Sequence, residues 1–115
     1  MSELILKAKA ESFLVTIMPA LKNFPSFERH GLTADIKRIL VTFVTAISLA
    51  ESVKSKRLQY AQEADAQLES LMIVLRVCKN KAFKYISSGF YTNVYSLYSE
   101  LKRLLIGFIK STVKK

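Results

Sequence analysis

The sequence holds one cysteine, one histidine, no tryptophan, and only three glycines and two prolines in 115 residues. A lone Cys78 excludes an internal disulfide and a cysteine-based zinc site, and it fits a reducing compartment. A lone His30 has no companion with which to form the convergent groups that catalysis or a metal cluster needs. Scarce glycine and proline exclude the many turns of a β-sandwich, and no glycine-rich phosphate loop occurs. The longest apolar stretch, Ile39 to Ala50, is broken by Thr42, Thr45 and Ser48 and falls short of the roughly 20 residues a spanning helix requires. Met1 to Leu14 carries Glu3, Lys7, Lys9 and Glu11, and so lacks the uncharged core of a signal peptide. These absences predict a soluble, cytoplasmic protein with no membrane association, no metal or other cofactor and no small-molecule substrate.

Half of the residues are hydrophobic, enough to bury a core, and the length suits one domain over residues 1–115. Four helical segments follow from the apolar spacing. The first spans about Ser2 to Asn23, with Leu4, Ala8, Val15 and Met18 among its apolar residues and a kink or break expected at Pro19. After a turn at Phe24 to Ser26, the second starts near Ser26 as N-cap, with Glu28 in its first turn and Gly31 as a helix-weakening residue. Leu32, Ile36, Ile39, Leu40, Phe43, Ile47 and Ala50 follow the helical period. Val41, Val44 and Leu49 widen the apolar surface to almost the whole circumference, which places this helix at the centre of a bundle or of an oligomer.

A turn at Ser52 to Ser55 leads to the third helix, about Lys56 to Lys81, on the stripe Ala61, Ala64, Leu68, Leu71, Leu75, Cys78 and Ala82. A turn within Asn80 to Ser88, with Ser87 or Ser88 as a cap, leads to the fourth. That helix runs to about Val113 on Phe90, Val94, Leu97, Leu101, Leu104 and Phe108. Short turns between long helices make neighbours antiparallel, so the expected fold is all-α, an up-down-up-down antiparallel four-helix bundle.

The net charge of +9 is unevenly placed. Met1 to Phe24 carries +1, from Lys7, Lys9 and Lys22 against Glu3 and Glu11. Pro25 to Val53 is neutral, with Arg29, Lys37 and Arg38 against Glu28, Asp35 and Glu51. Lys54 to Tyr85 and Ile86 to Lys115 carry +4 each. Arg76, Lys79, Lys81 and Lys84 gather at one end of the second helical hairpin. Lys54, Lys56 and Arg57 crowd the other end, near Lys110, Lys114 and Lys115, while Lys102 and Arg103 project from the middle of helix four. Such cations suit a polyanion, because each neutralised phosphate releases condensed counterion. An anionic membrane surface, an acidic protein or a merely solvated face are the alternatives. Glu63, Asp65 and Glu69 are expected to solvate the outer face of helix three and pair with lysines. Tyr91, Tyr95 and Tyr98 form a second stripe on helix four. Tyrosines beside cations either stack bases or line a subunit interface, and Gly107 favours the interface because a helical glycine admits a close neighbour.

Three stretches resemble a known family. PALKNFPSFERHGL, Pro19 to Leu32, is similar to an F-P-x-x-E-R signature. Both the accessory variability determinant (Avd) family of diversity-generating retroelements and the proteins of 23S rRNA intervening sequences carry it. LYSELKRLLIGFIKS, Leu97 to Ser111, resembles the Avd pattern through Glu100, Leu104, Gly107, Phe108 and Lys110, with Phe108 where tryptophan is common. Leu71 to Lys79 resembles the leucine-rich third Avd helix, whose arginine matches Arg76. The resemblance implies a non-catalytic homopentamer of four-helix bundles that binds the retroelement reverse transcriptase and RNA or DNA during error-prone cDNA synthesis. The alternative it leaves is an RNA-associated protein of the intervening-sequence type.

Overall fold

The computed structural model describes residues 2–80 and 83–113, with side chains from residue 5 onward. Lys81, Ala82, Lys114, Lys115 and the side chains of Glu3 and Leu4, all invoked above, lie outside the described residues. The chain forms four helices: α1 (Ser2–Ile17), α2 (Leu32–Ser52), α3 (Arg57–Lys79) and α4 (Ser88–Val113). Each packs on its neighbour in sequence and α1 closes the ring against α4, in a body of 47 × 25 × 19 Å. The four-helix bundle expected from periodicity is the observed fold.

Proline ends α1 as anticipated. With Pro19 in its first turn, the segment Met18–Asn23 continues as a 3-10 helix instead of an α-helix. The start of α2 differs from the expectation. Ser26 heads only a three-residue 3-10 turn, Ser26–Glu28, and α2 begins at Leu32 with Gly31 as its N-cap. The carboxylate of Glu28 replaces the missing serine cap: its Oε1 accepts the Leu32 amide at 3.1 Å. A Cβ on Gly31 would come within 2.7 Å of that same oxygen, so glycine leaves room for the contact. At the head of α4, Ser87 is the expected cap, its Oγ accepting the Phe90 amide at 3.0 Å.

The α3 stripe Ala61, Ala64, Leu68, Leu71, Leu75 and Cys78 is buried as read, joined by Met72. Cys78 is 0 % exposed, and burial, then the charge of Glu28, pushes its thiol up to about 11. It serves as a small apolar core residue. On α4 the deepest positions are Val94, Leu101, Leu105 and Phe108. Leu105 takes the place expected of Leu104, because four residues past Leu101 stays on the stripe that Phe108 continues, whereas Leu104 turns to the flank. Helix α2 is one wall of the ring and packs most extensively on α3. Its Ile36, Leu40, Phe43, Ala46, Ile47 and Ala50 are buried, Val44 and Leu49 are half-buried, and Val41 is 53 % exposed. The all-round covering expected of it is therefore absent within one chain.

Candidate nucleic-acid and partner interface

The seam between α3 and α4 carries the three tyrosines and two of the lysines predicted to touch a partner. Tyr91, Tyr95 and Tyr98 recur every three or four residues along α4 and form a ladder, with ring centroids 6.3 and 5.4 Å apart. The ammonium of Lys79 sits 4.7 Å from the Tyr91 ring centre, a cation–π contact across the seam. Tyr95 is half exposed, beside a face of α3 that leaves Ile73 55 % and Val77 43 % exposed.

Below this point the seam closes on itself. The Tyr98 hydroxyl donates to Glu69 Oε2 at 2.6 Å. Lys102 Nζ donates to Asp65 Oδ1 at 2.5 Å and lies 3.1 Å from Glu69 Oε2. The hydrogen bond to Glu69, with burial, pushes the Tyr98 phenol up to about 12. The Tyr98 bond is also the main reason the Glu69 carboxyl is lowered, with Lys102 adding to it. Burial disfavours the Lys102 charge, but the bonds to Asp65 and Glu69 outweigh it and raise the ammonium. Two of the three acidic residues on α3 thus pair with a lysine, as expected, while Glu63 stays exposed.

The predicted basic residues separate into two groups. Lys102 is held by two carboxylates, and Arg57 works as a cap. Arg57 Nε donates to the Ala50 carbonyl and an Nη to the Glu51 carbonyl, both at 2.9 Å, closing the C-terminus of α2, and the guanidinium lies 5.6 Å from the Phe108 ring centre. That contact brings the start of α3 to the end of α4, near Lys110. By contrast, Lys54, Lys56, Arg76, Lys84, Arg103 and Lys110 are exposed and make no ion pair among the described residues. Gly107 faces open space, with nothing within 4 Å of a Cβ built there. It follows Tyr98 by nine residues, about two and a half turns, and so points away from the tyrosine ladder. The structure does not join Gly107 and the tyrosines into one face.

Sequence reading missed a tie between the two helix connections. The Tyr85 hydroxyl donates to Glu28 Oε2 at 2.9 Å, and its ring packs against Phe24 at 5.1 Å. Phe24 and Glu28 of the F-P-x-x-E-R stretch thereby fasten the α1–α2 connection to the segment before α4. His30 is exposed on the same connection. In the C-terminal stretch, Glu100 pairs with Lys9 of α1 at 3.1 Å and Phe108 is buried under Arg57.

Among the described residues no helix is long and apolar enough to cross a membrane, and no cluster of three or more His, Cys, Asp or Glu could hold a metal ion. No curated protein and no solved structure matches the chain. A family model does match: that of the bAvd-like proteins, over residues 4–112, which takes in nearly all of the four helices and all three of the stretches described above. By that match the chain belongs to the bAvd-like family, of Avd-type accessory proteins.

Proposed function

We propose that this protein is a non-enzymatic cytoplasmic subunit of a diversity-generating retroelement, binding its reverse transcriptase and RNA or DNA to support mutagenic cDNA synthesis. The family membership supports the role. The observation that carries nucleic-acid contact is the set of six exposed cations of α3, α4 and their turns, Lys54, Lys56, Arg76, Lys84, Arg103 and Lys110, left without carboxylate partners among the described residues. Unpaired cations repel one another and favour a polyanion that relieves the repulsion. Lys79, half-exposed on the Tyr91 ring, and Lys81, by its place in the sequence alone, are further candidates for the same contact. Lys102 and Arg57 belong to it less directly, since their charges already serve the fold.

The half-exposed Tyr95, with Ile73 and Val77, supports assembly of copies along the α3–α4 seam into a homopentamer. Gly107 lies on another flank of α4 and would serve a second contact. The test is co-purification of the tagged protein with the reverse transcriptase encoded beside it, combined with strand binding across salt. Co-purification at a mass near five times 13.0 kDa for the accessory component is the expected result. A monomer that ignores both the enzyme and RNA would overturn the proposal.

A further inference from the structure

The first helical hairpin carries almost no net charge in sequence, yet folding sorts its charges. Glu28 turns inward to Tyr85 and the Leu32 amide, and Asp35 pairs with Arg38 at 3.0 Å. Glu11 lies on α1, and Glu51 lies at the far end of α2. What remains on the surface where the 3-10 helix Met18–Asn23 meets the head of α2 is cationic. Two adjoining hollows, of about 370 and 270 Å³, share Leu21, Lys22, Thr33 and Lys37 in their walls and so form one groove. Arg29 and Ser26 complete the smaller hollow, and Met18 and Pro19 floor the larger. No carboxylate lines either hollow among the described residues, and Lys22, Arg29 and Lys37 make no ion pair there.

We propose that this groove is a phosphate-binding site on the α1–α2 side of the bundle, separate from the α3–α4 cations and independent of the partner reading above. Three cations drawn from three segments, with the hydroxyls of Ser26 and Thr33, offer donors on several sides of a tetrahedral anion. A guanidinium can bind two of its oxygens at once, and the ammonium groups act as point charges. The apolar floor of the larger hollow accommodates the uncharged part of a phosphate ester. A strand's phosphodiester backbone and a free phosphate ester share this chemistry. A carboxylate-rich peptide would use the charges without needing the hydroxyls, which is why phosphate is the better fit.

The test titrates the full-length protein, at fixed ionic strength, with inorganic phosphate, with a short oligothymidylate strand and with a poly-glutamate peptide. Three proteins are compared: the unmodified chain, Arg29→Gln/Lys37→Gln, and Lys7→Gln/Arg38→Gln, which removes the same charge from the same hairpin outside the groove and outside the α3–α4 cations. Arg29, Lys37 and Arg38 are exposed and Lys7 is half-buried, and helicity by circular dichroism confirms that each variant is folded. The groove variant is expected to bind a phosphate probe about tenfold more weakly, the scale of one missing charge-assisted hydrogen bond, while the control variant weakens clearly less. A selective loss for the strand alone identifies the phosphodiester backbone as ligand, and a selective loss for inorganic phosphate identifies a small phosphate. Equal losses in both variants, no loss for either phosphate probe, or a loss confined to poly-glutamate would overturn the proposal.

Discussion

Replacing Lys102 by methionine keeps the apolar stem of the side chain and removes only its charge, so it isolates what the α3–α4 seam gains from that charge. Lys102 makes two charge-assisted contacts, to Asp65 and Glu69, at side chains 26, 32 and 45 % exposed. Hydrogen bonds to charged groups contribute about 1.5–3 kcal/mol each when well protected, and solvent screening at this exposure reduces the pair to about 1–2 kcal/mol in all. The two carboxylates left behind stand four residues apart on one helix face and repel, which keeps the cost near the upper end. For a domain of this size the melting temperature should fall by about 4–8 °C. The pH profile adds a second signature. Glu69, lowered by folding, contributes stability that is present above its ordinary 4.5 and lost as pH falls. Tyr98, raised by folding, contributes stability that is present below its ordinary 10.0 and lost as pH climbs towards about 12. Stability should therefore hold from about pH 5 to 9, where the buried Cys78 thiol, raised from 9.0 to about 11, begins to favour unfolding, and Tyr98→Phe should flatten only the upper part of the alkaline limb. Differential scanning calorimetry across pH reads both effects. An unchanged melting temperature in Lys102→Met, with weakened nucleic-acid binding, would refute the assignment of Lys102 to the fold.

Arg57→Ala should cost about 2 kcal/mol in urea denaturation, because it strips two carbonyls at the end of α2 of their donor and uncovers Phe108. Arg57→Lys should recover only part of this, since one ammonium reproduces neither the fork nor the ring contact. Cys78, 0 % exposed and with its thiol raised to about 11, should resist a disulfide reagent at pH 8 in the native protein and react fully in urea. Cys78→Ala should cost about 1 kcal/mol of stability through a small cavity and leave nucleic-acid binding unchanged.

The interior was readable where one helix's own period decides it: the α3 stripe runs by threes and fours, and burial follows it from Ala61 to Cys78. Residues whose role depends on a distant partner were not readable. Glu28 looks like an ordinary first-turn acid, but its second oxygen is taken by Tyr85, 57 positions away, and the segment between Ser26 and Gly31 bends to allow it. Lys102 and Arg103 look alike in a row of letters. A step of about 100° on a helix turns the first towards Asp65 and Glu69 and leaves the second in water. Arg57 had a local signal, a basic residue just past the end of α2, where free carbonyls await a donor. Counting charge by segment also concealed Lys22, Arg29 and Lys37, because the sum ignores which carboxylates fold inward.

The exposed, unpaired cations of α3 and α4 bear the central claim, and one salt titration addresses them most directly. Binding of single-stranded RNA is measured from low to near-physiological salt for the unmodified protein and for Arg76→Ala/Arg103→Ala, with helicity and oligomeric mass confirmed for both. The account predicts a steep fall of affinity with salt, a slope shallower by about one for each phosphate no longer neutralised, and weaker binding at every salt concentration for the variant. Identical affinity and slope in the two proteins would contradict it, and would leave those arginines as solvated surface.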